Sequence, residues 1–163
     1  PYVDQMFYLL GKTYDKLQTF VPIQDYQIDY YKNKFLKYIN PGFIKCVIDE
    51  NDELVAFAIT MPSFSNALKK INGKVDFFGK LRLLYAKNFN HKGSLYLIGV
   101  RPDFQNKGVI AILFNELQKF YNKFGITEVE TNPELIENTA IQQLWKNYEN
   151  NQHKNRATFS KQI

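Results

Sequence analysis

The stretch with the clearest chemical potential runs from Leu97 to Ala111 and reads Leu-Ile-Gly-Val-Arg-Pro-Asp-Phe-Gln-Asn-Lys-Gly-Val-Ile-Ala. Leu95 to Val100 is apolar on both faces and reads as a central buried strand. A polar turn follows. Helical spacing then starts near Gly108 and carries Ile110, Leu113, Phe114, Leu117, Tyr121 and Phe124. The first N–H groups of such a helix have no intrahelical partner, and the helix dipole adds partial positive charge there. That junction suits a phosphate or pyrophosphate. Gly108 lets the backbone approach an anion with no Cβ in the way, and Lys107 adds charge nearby. The same residues also fit an ordinary turn in which Gly108 only eases the start of the helix. The spacing is neither that of a Walker A loop nor that of a Gly-x-Gly-x-x-Gly dinucleotide loop.

Other reactive residue types are sparse. His91 and His153 stand far apart in polar surroundings and read as surface residues. Cys46 is the single cysteine and reads as a small buried apolar residue. These residues offer no metal-ligand spacing, so no metal site is expected. No Ser/His/Asp grouping follows from the spacing either. Phe77, Phe78, Tyr85 and Phe89 read as core, or as the lining of an acceptor pocket.

The elements that must position the Leu97–Ala111 stretch follow from periodicity. Val3, Met6, Phe7, Leu10, Tyr14 and Leu17 predict a first amphipathic helix, broken by Val21-Pro22. Ile28, Tyr31, Phe35 and Ile39 predict a second, stopped by Asn40-Pro41-Gly42. Ile44, Cys46 and Ile48 alternate as in a strand. Glu50-Asn51-Asp52 is a turn, and Glu53 to Met61 reads as a second strand, making an antiparallel hairpin. Pro62 to Phe89 holds a short helix capped at Ser63 and then a helix or packed loop through Leu81 and Leu84. After the helix that ends at Gly125, Ile126 to Thr131 is a strand. Ala140, Ile141, Leu144, Trp145 and Tyr148 mark a last helix, and His153 to Lys161 a final polar strand. The strand–helix–strand unit from Leu95 to Thr131 implies a right-handed parallel crossover. The fold class is therefore α/β, a mixed sheet with helices on both faces.

A length of 163 residues, 45% of them hydrophobic, fits one domain with its own core. One cysteine permits no internal disulfide and fits a reducing, cytoplasmic setting. No apolar run approaches the roughly 20 residues that span a bilayer, and no membrane partner is expected. The chain opens on Pro1, as a piece of a longer protein would. A net charge of +5 suits an anionic ligand. Lys69, Lys70, Lys74, Lys80, Arg82, Lys87 and Lys92 face only Asp76 between Ala67 and Gly93. This reads as a solvated basic face, with nucleic acid a minor alternative.

Val100-x-Pro102-x-x-Gln105-x-Lys107-Gly108 resembles motif A of the GNAT superfamily of N-acyltransferases. Glu130-x-Asn132, Asn138 and the Leu144-Trp145 pair resemble its motif B. The element order matches over most of the chain, so residues 1–163 are expected to form a single GNAT-like domain with a mostly antiparallel sheet. Beyond the superfamily, the chain resembles the C-terminal half of longer bacterial proteins built from GNAT-like halves, which implies an N-terminal remainder as a partner.

The resemblance implies acetyl-CoA as co-substrate. The strand from Leu95 to Val100 should carry a bulge and splay from the strand from Ile126 to Thr131, with pantetheine in the cleft. The pyrophosphate would sit on the amides of Gln105, Asn106, Lys107, Gly108, Val109 and Ile110. Amides of Ile98, Gly99 and Val100 would face the thioester carbonyl. An amine acceptor would attack directly in a ternary complex. Asn138 would touch the cofactor or cap the last helix. Two departures stand out. Ile110 replaces the motif's last small residue, and Trp145 replaces the Tyr that protonates the leaving thiolate. Tyr148, three residues on, is the candidate replacement acid. Glu130, on the strand face it shares with Glu128, is the candidate general base. The expected function is N-acyl transfer to an unidentified amine. The alternative is a GNAT-like module that has lost its chemistry and serves as a CoA-binding or structural partner.

Overall fold

The structure is a computed structural model that describes residues 2–15, 21–36, 39–157, 159 and 161. The chain divides into two compact units, residues 1–130 and residues 131–163.

The first unit is organised by a nearly continuous apolar strand. β2 (Leu54–Pro62) has only Met61 not fully buried. Its run of Leu, Val, Phe and Ile suits a strand covered on both faces. β1 (Ile44–Ile48) pairs antiparallel with one edge, Ile44 opposite Ile59. β3 (Lys92–Val100) pairs antiparallel with the other, Val100 opposite Ala56. β4 (Glu128–Thr131) completes the order β1-β2-β3-β4. The amides of Thr127 and Glu128 donate to the His91 carbonyl at 2.9 and 3.2 Å. β4 thus begins where β3 begins and runs beside it as the parallel member of a mixed sheet. The strand–helix–strand reading of Leu95 to Thr131 holds.

The side chains of β2 divide between two helices. Phe57 and Ile59 pack with Met6, Leu9 and Leu10 of α1 (Val3–Tyr14). Ala56 lies with Val100 and with Val109 of α5 (Val109–Phe124). Leu113 and Leu117 of α5 are fully buried, and Phe120 and Phe124 both meet Phe43 edge-on. Thr60 is the buried polar side chain at the middle of the sheet; it donates to the Phe43 carbonyl at 2.8 Å. α2 (Asp25–Lys34) starts in a reciprocal Gln24–Gln27 capping box but buries no residue fully.

β3 carries the expected bulge. Ile59 faces Leu97 while Thr60 faces Leu95, so Tyr96 is the extra residue. Gly99 lies opposite Phe57, and a Cβ there would meet the Phe57 ring at 2.7 Å. Gly99→Val should therefore destabilise the fold by about 1–3 kcal/mol through overpacking, read as a lower denaturant midpoint at unchanged slope.

Between β2 and β3 stand α3 (Ser65–Lys70) and α4 (Phe77–Asn88), the second capped by Asp76, whose carboxylate accepts from the Gly79 amide at 2.7 Å. Phe77, Phe78, Tyr85 and Phe89, expected as core, are instead exposed. The insert also springs from the end of β3 opposite Val100, because the Ser63 amide donates to the Lys92 carbonyl at 2.8 Å. Nine strand residues, about 30 Å, separate the two ends. Periodicity reveals an apolar helix face but not what covers it.

Cys46 is likewise exposed on β1 and not buried, since among the described residues β1 pairs only with β2 and stands at the edge of the sheet. Partial desolvation still raises its thiol pKa, the wrong direction for a reactive thiolate.

In the second unit, α6 spans Thr139–Trp145. The expected strand from His153 to Lys161 does not form among its described residues, 153–157, 159 and 161. A polar segment without alternating apolar residues has no face to bury as a strand. Leu17 lies outside the described residues.

Candidate active site

The local sequence dictates how β3 becomes α5. The Arg101 amide donates to the Val55 carbonyl at 2.8 Å, the last rung to β2. Pro102 fixes φ and starts a single 3-10 turn over Pro102–Phe104. Asn106 and Gly108 then take left-handed φ values of 61° and 76°. The chain reverses through these two residues and enters α5. A Cβ on Gly108 would meet nothing within 4 Å, so that side of the backbone is open.

The first turn of α5 faces this opening. The Gly108 carbonyl accepts from Ala111 and Ile112 at 3.0 and 3.3 Å. Among the described residues, no protein acceptor is in place for the amides of Asn106, Gly108, Val109 and Ile110. The Gln105 and Lys107 amides differ, bonding within the turn to Pro102 and Phe104 carbonyls at 3.3 and 3.4 Å. Ile110 packs against Val55, Ala56, Val100 and Val109, so its bulk is turned into the core and away from the opening.

Arg101 holds the turn from behind. It reaches Asp49 at 3.3 Å, Glu53 at 3.1 Å and Asp103 at 2.9 Å, tying the β1–β2 turn to the end of β3. Its guanidinium also lies 4.4 Å from the centre of the Phe104 ring, and the Lys107 amine sits over the same ring at 5.2 Å. Sequence reasoning missed this network, since nothing in the spacing links residue 49 to residue 101. The Asp49 carboxyl is held below its usual pKa, first by the Glu53 amide, then by the Asn51 amide and Arg101. A lowered carboxylate pKa contributes stability above the unfolded value, about 3.9, that is lost as pH falls through the folded value. Arg101→Ala should lower Tm at neutral pH and start acid unfolding at a higher pH. The deficit should shrink below about pH 4, which thermal melts across pH would show.

The edge of β3 away from β2 is the second component. Val100 opposite Ala56 and Ile98 opposite Ala58 are non-hydrogen-bonded pairs, given the Arg101–Val55 rung. Their own N–H and C=O groups therefore point away from β2, while those of Gly99 point toward it. A four-residue β4 that starts beside Lys92 ends before it reaches Ile98. Part of this edge is met by α1, another contact hidden from sequence: the Tyr14 hydroxyl donates to the Ile98 carbonyl at 3.2 Å, and Thr13 Oγ1 lies 3.5 Å from the Val100 carbonyl. The Gln105 side chain also reaches the Val100 carbonyl, at 3.4 Å. Val100 and the 105–110 turn thus lie together at the end of β3, with Ile98 two residues back on the same outward edge.

On β4, Glu128 is ion-paired with Lys92, at the end of β3 remote from Val100, while Glu130 is half-buried. In the second unit, Asn138 precedes α6 without a side-chain capping bond. The Trp145 indole N–H donates to both oxygens of Glu134, at 2.9 and 3.1 Å. Tyr148 is exposed, its ring 6.3 Å edge-on from that of Trp145. Among the described residues, no group of three or more His, Cys, Asp or Glu could hold a metal ion, and no helix is long and apolar enough to cross a membrane.

This architecture is shared by solved acetyltransferases. The aminoglycoside 6'-N-acetyltransferase AAC(6')-IG from Acinetobacter haemolyticus superposes with a TM-score of 0.61 at 14% identity, covering 99% of this chain and 93% of that one. AAC(6')-Iy, solved with a CoA-containing bisubstrate analogue, gives 0.58 at 14%, covering 99% and 92%. The ribosomal-protein-alanine N-acetyltransferase from Brucella melitensis biovar Abortus 2308 gives 0.58 at 12%, covering 98% and 92%. At such identities the likeness is one of fold. No curated protein sequence matches the chain significantly. The sequence pattern of the Acetyltransferase (GNAT) family, however, matches residues 5–148, and the chain belongs to that family.

Proposed function

We propose that the chain transfers an acetyl group from acetyl-CoA to an amine by direct attack in a ternary complex. The observation that carries this reading is the opening at Gly108, where backbone amides without protein acceptors converge beside the outward edge of Ile98 and Val100. These residues fit an acyl-CoA. The α5 amides would hold the pyrophosphate. The edge of β3 would pair with the pantetheine amides, and an outward N–H of Ile98 or Val100 would stabilise negative charge developing on the thioester oxygen. The thioester supplies an activated acyl carbon. The amine nitrogen bonds to it, the carbon–sulfur bond breaks, and the thiolate leaves with a proton.

In this scheme Glu130 takes the ammonium proton before attack and Tyr148 supplies a proton to the thiolate. An indole cannot do the latter, and Trp145 is in any case engaged with Glu134. Tyr148→Phe should then lower kcat about 100-fold with KM for acetyl-CoA little changed, measured by thiol release. An amine acceptor is in keeping with the folds it resembles, among them an aminoglycoside antibiotic 6'-N-acetyltransferase and a ribosomal-protein-alanine N-acetyltransferase.

Trp145 at the motif's Tyr position favours one second reading, a CoA-binding module without turnover. Calorimetric titration with acetyl-CoA followed by thiol release over a panel of amines tests both. Binding with turnover supports the transferase, binding without turnover supports the module, and no binding to folded protein removes both.

A further inference from the structure

α4 meets the body of the protein along a narrow strip, Gly79, Leu83 and Ala86, and leaves its large side chains outside. Phe77, Phe78, Leu81, Leu84 and Tyr85 are between 51% and 73% exposed, and Phe89, just past the helix, is 68% exposed. At 3.6 residues per turn the first five fall in one sector of about 120°, shared with the exposed Asn88 and opposite the strip that faces the body. This is not the scatter of single apolar residues that any surface carries. Lys80 and Lys87 border the sector on one side and Arg82 on the other. No acidic residue lies between Phe77 and Gly93. Beside the helix an open groove of about 660 Å³ runs between α3 and α4, with Lys70 and Arg82 on its walls next to Phe78 and Tyr85.

We propose that α4 is a surface anchor that lays its apolar sector into the headgroup region of an anionic lipid bilayer. An apolar helix face flanked by Lys and Arg is the pattern of interfacial helices, which lie in the membrane plane and need not span it. The flanking cations would meet acidic headgroups while Phe77, Phe78, Leu81, Leu84 and Tyr85 enter the acyl boundary. A second copy of this chain fits less well, because pairing two such faces brings Lys80, Arg82 and Lys87 against their own counterparts. The attachment concerns the end of β3 opposite the Gly108 opening, so it leaves the acetyl-CoA site facing solvent.

The test is flotation of the whole chain with vesicles of phosphatidylcholine containing about 30% phosphatidylserine, against phosphatidylcholine alone. The expected result is binding to the anionic vesicles, weakening steeply with salt, and at least about tenfold weaker partitioning for Leu81→Ser/Leu84→Ser. Both leucines are exposed, so Tm and acetyl-CoA titration of that variant should match the parent. The proposal is overturned by absent binding at low salt, or by binding that ignores the double substitution. It is equally overturned if the substitution instead dissolves a dimer in sedimentation. None of these outcomes depends on whether acetyl transfer occurs.

Discussion

Gly108→Glu should raise the Kd for acetyl-CoA at least about 100-fold, close to 2.7 kcal/mol, while the protein stays folded. Two effects combine at this residue. The backbone there has a φ of 76°, which a residue with a Cβ adopts at a cost of about 1–2 kcal/mol. The larger effect is electrostatic. The added side chain has open space before it, so it needs no repacking and stands where the amides of Asn106, Gly108, Val109 and Ile110 converge. A carboxylate there competes for the same N–H groups and repels a pyrophosphate. Gly108→Ala separates the two effects, because it keeps the backbone cost without the charge and should weaken binding only a few-fold. Calorimetry on both variants, with melts as a control for folding, reads the difference. Equal binding by parent and Gly108→Glu would move the cofactor away from this turn.

Phe57→Ala should cost about 3–5 kcal/mol of stability. Phe57 is 1% exposed at the centre of the sheet, packed with Met6, Leu9, Leu10 and Ile59 on the α1 face. The lost ring also leaves a hole that Gly99, directly opposite, has no side chain to fill. The expected fall in Tm is roughly 6–20 °C, read by differential scanning calorimetry. A double substitution with Gly99→Ala should recover part of the loss, since the new methyl occupies space that the ring vacates. A purely additive double mutant would show that the two residues do not couple.

Most of the fold was legible in the chain because its strong signals are periodic. The stripe from Ile110 to Phe124 and its Gly125 stop mark α5, which spans Val109–Phe124. The near-continuous apolar run after Glu53 marks β2, and the change from helical to alternating spacing after Pro41-Gly42 marks β1. The Val100–Gly108 turn was legible for a related reason: a strand end, a proline, and a glycine at the start of a helix constrain the backbone locally.

Contacts between distant segments were not legible. Arg101 joins Asp49 and Glu53, and Tyr14 reaches the Ile98 carbonyl, only because the hairpin and α1 are brought beside β3. Cys46 was misread because burial depends on which neighbours a strand acquires, and among the described residues β1 pairs only with β2. The last polar segment lacked the period that would have predicted its form, and the strand expected there is absent among its described residues. Phe77, Phe78, Tyr85 and Phe89 show the limit best. Hydrophobic spacing fixes which residues share a helix face, through the local geometry of the backbone. Whether that face turns to the core or to solvent is decided by the other elements packed around it, and here Gly79 and Ala86 took the buried side. The sequence by itself thus determined the elements, their order and the shape of the turn at Gly108. The tertiary structure decided which edges stayed open, which charges met, and which apolar face was left outside, because those depend on long-range packing that no local spacing encodes.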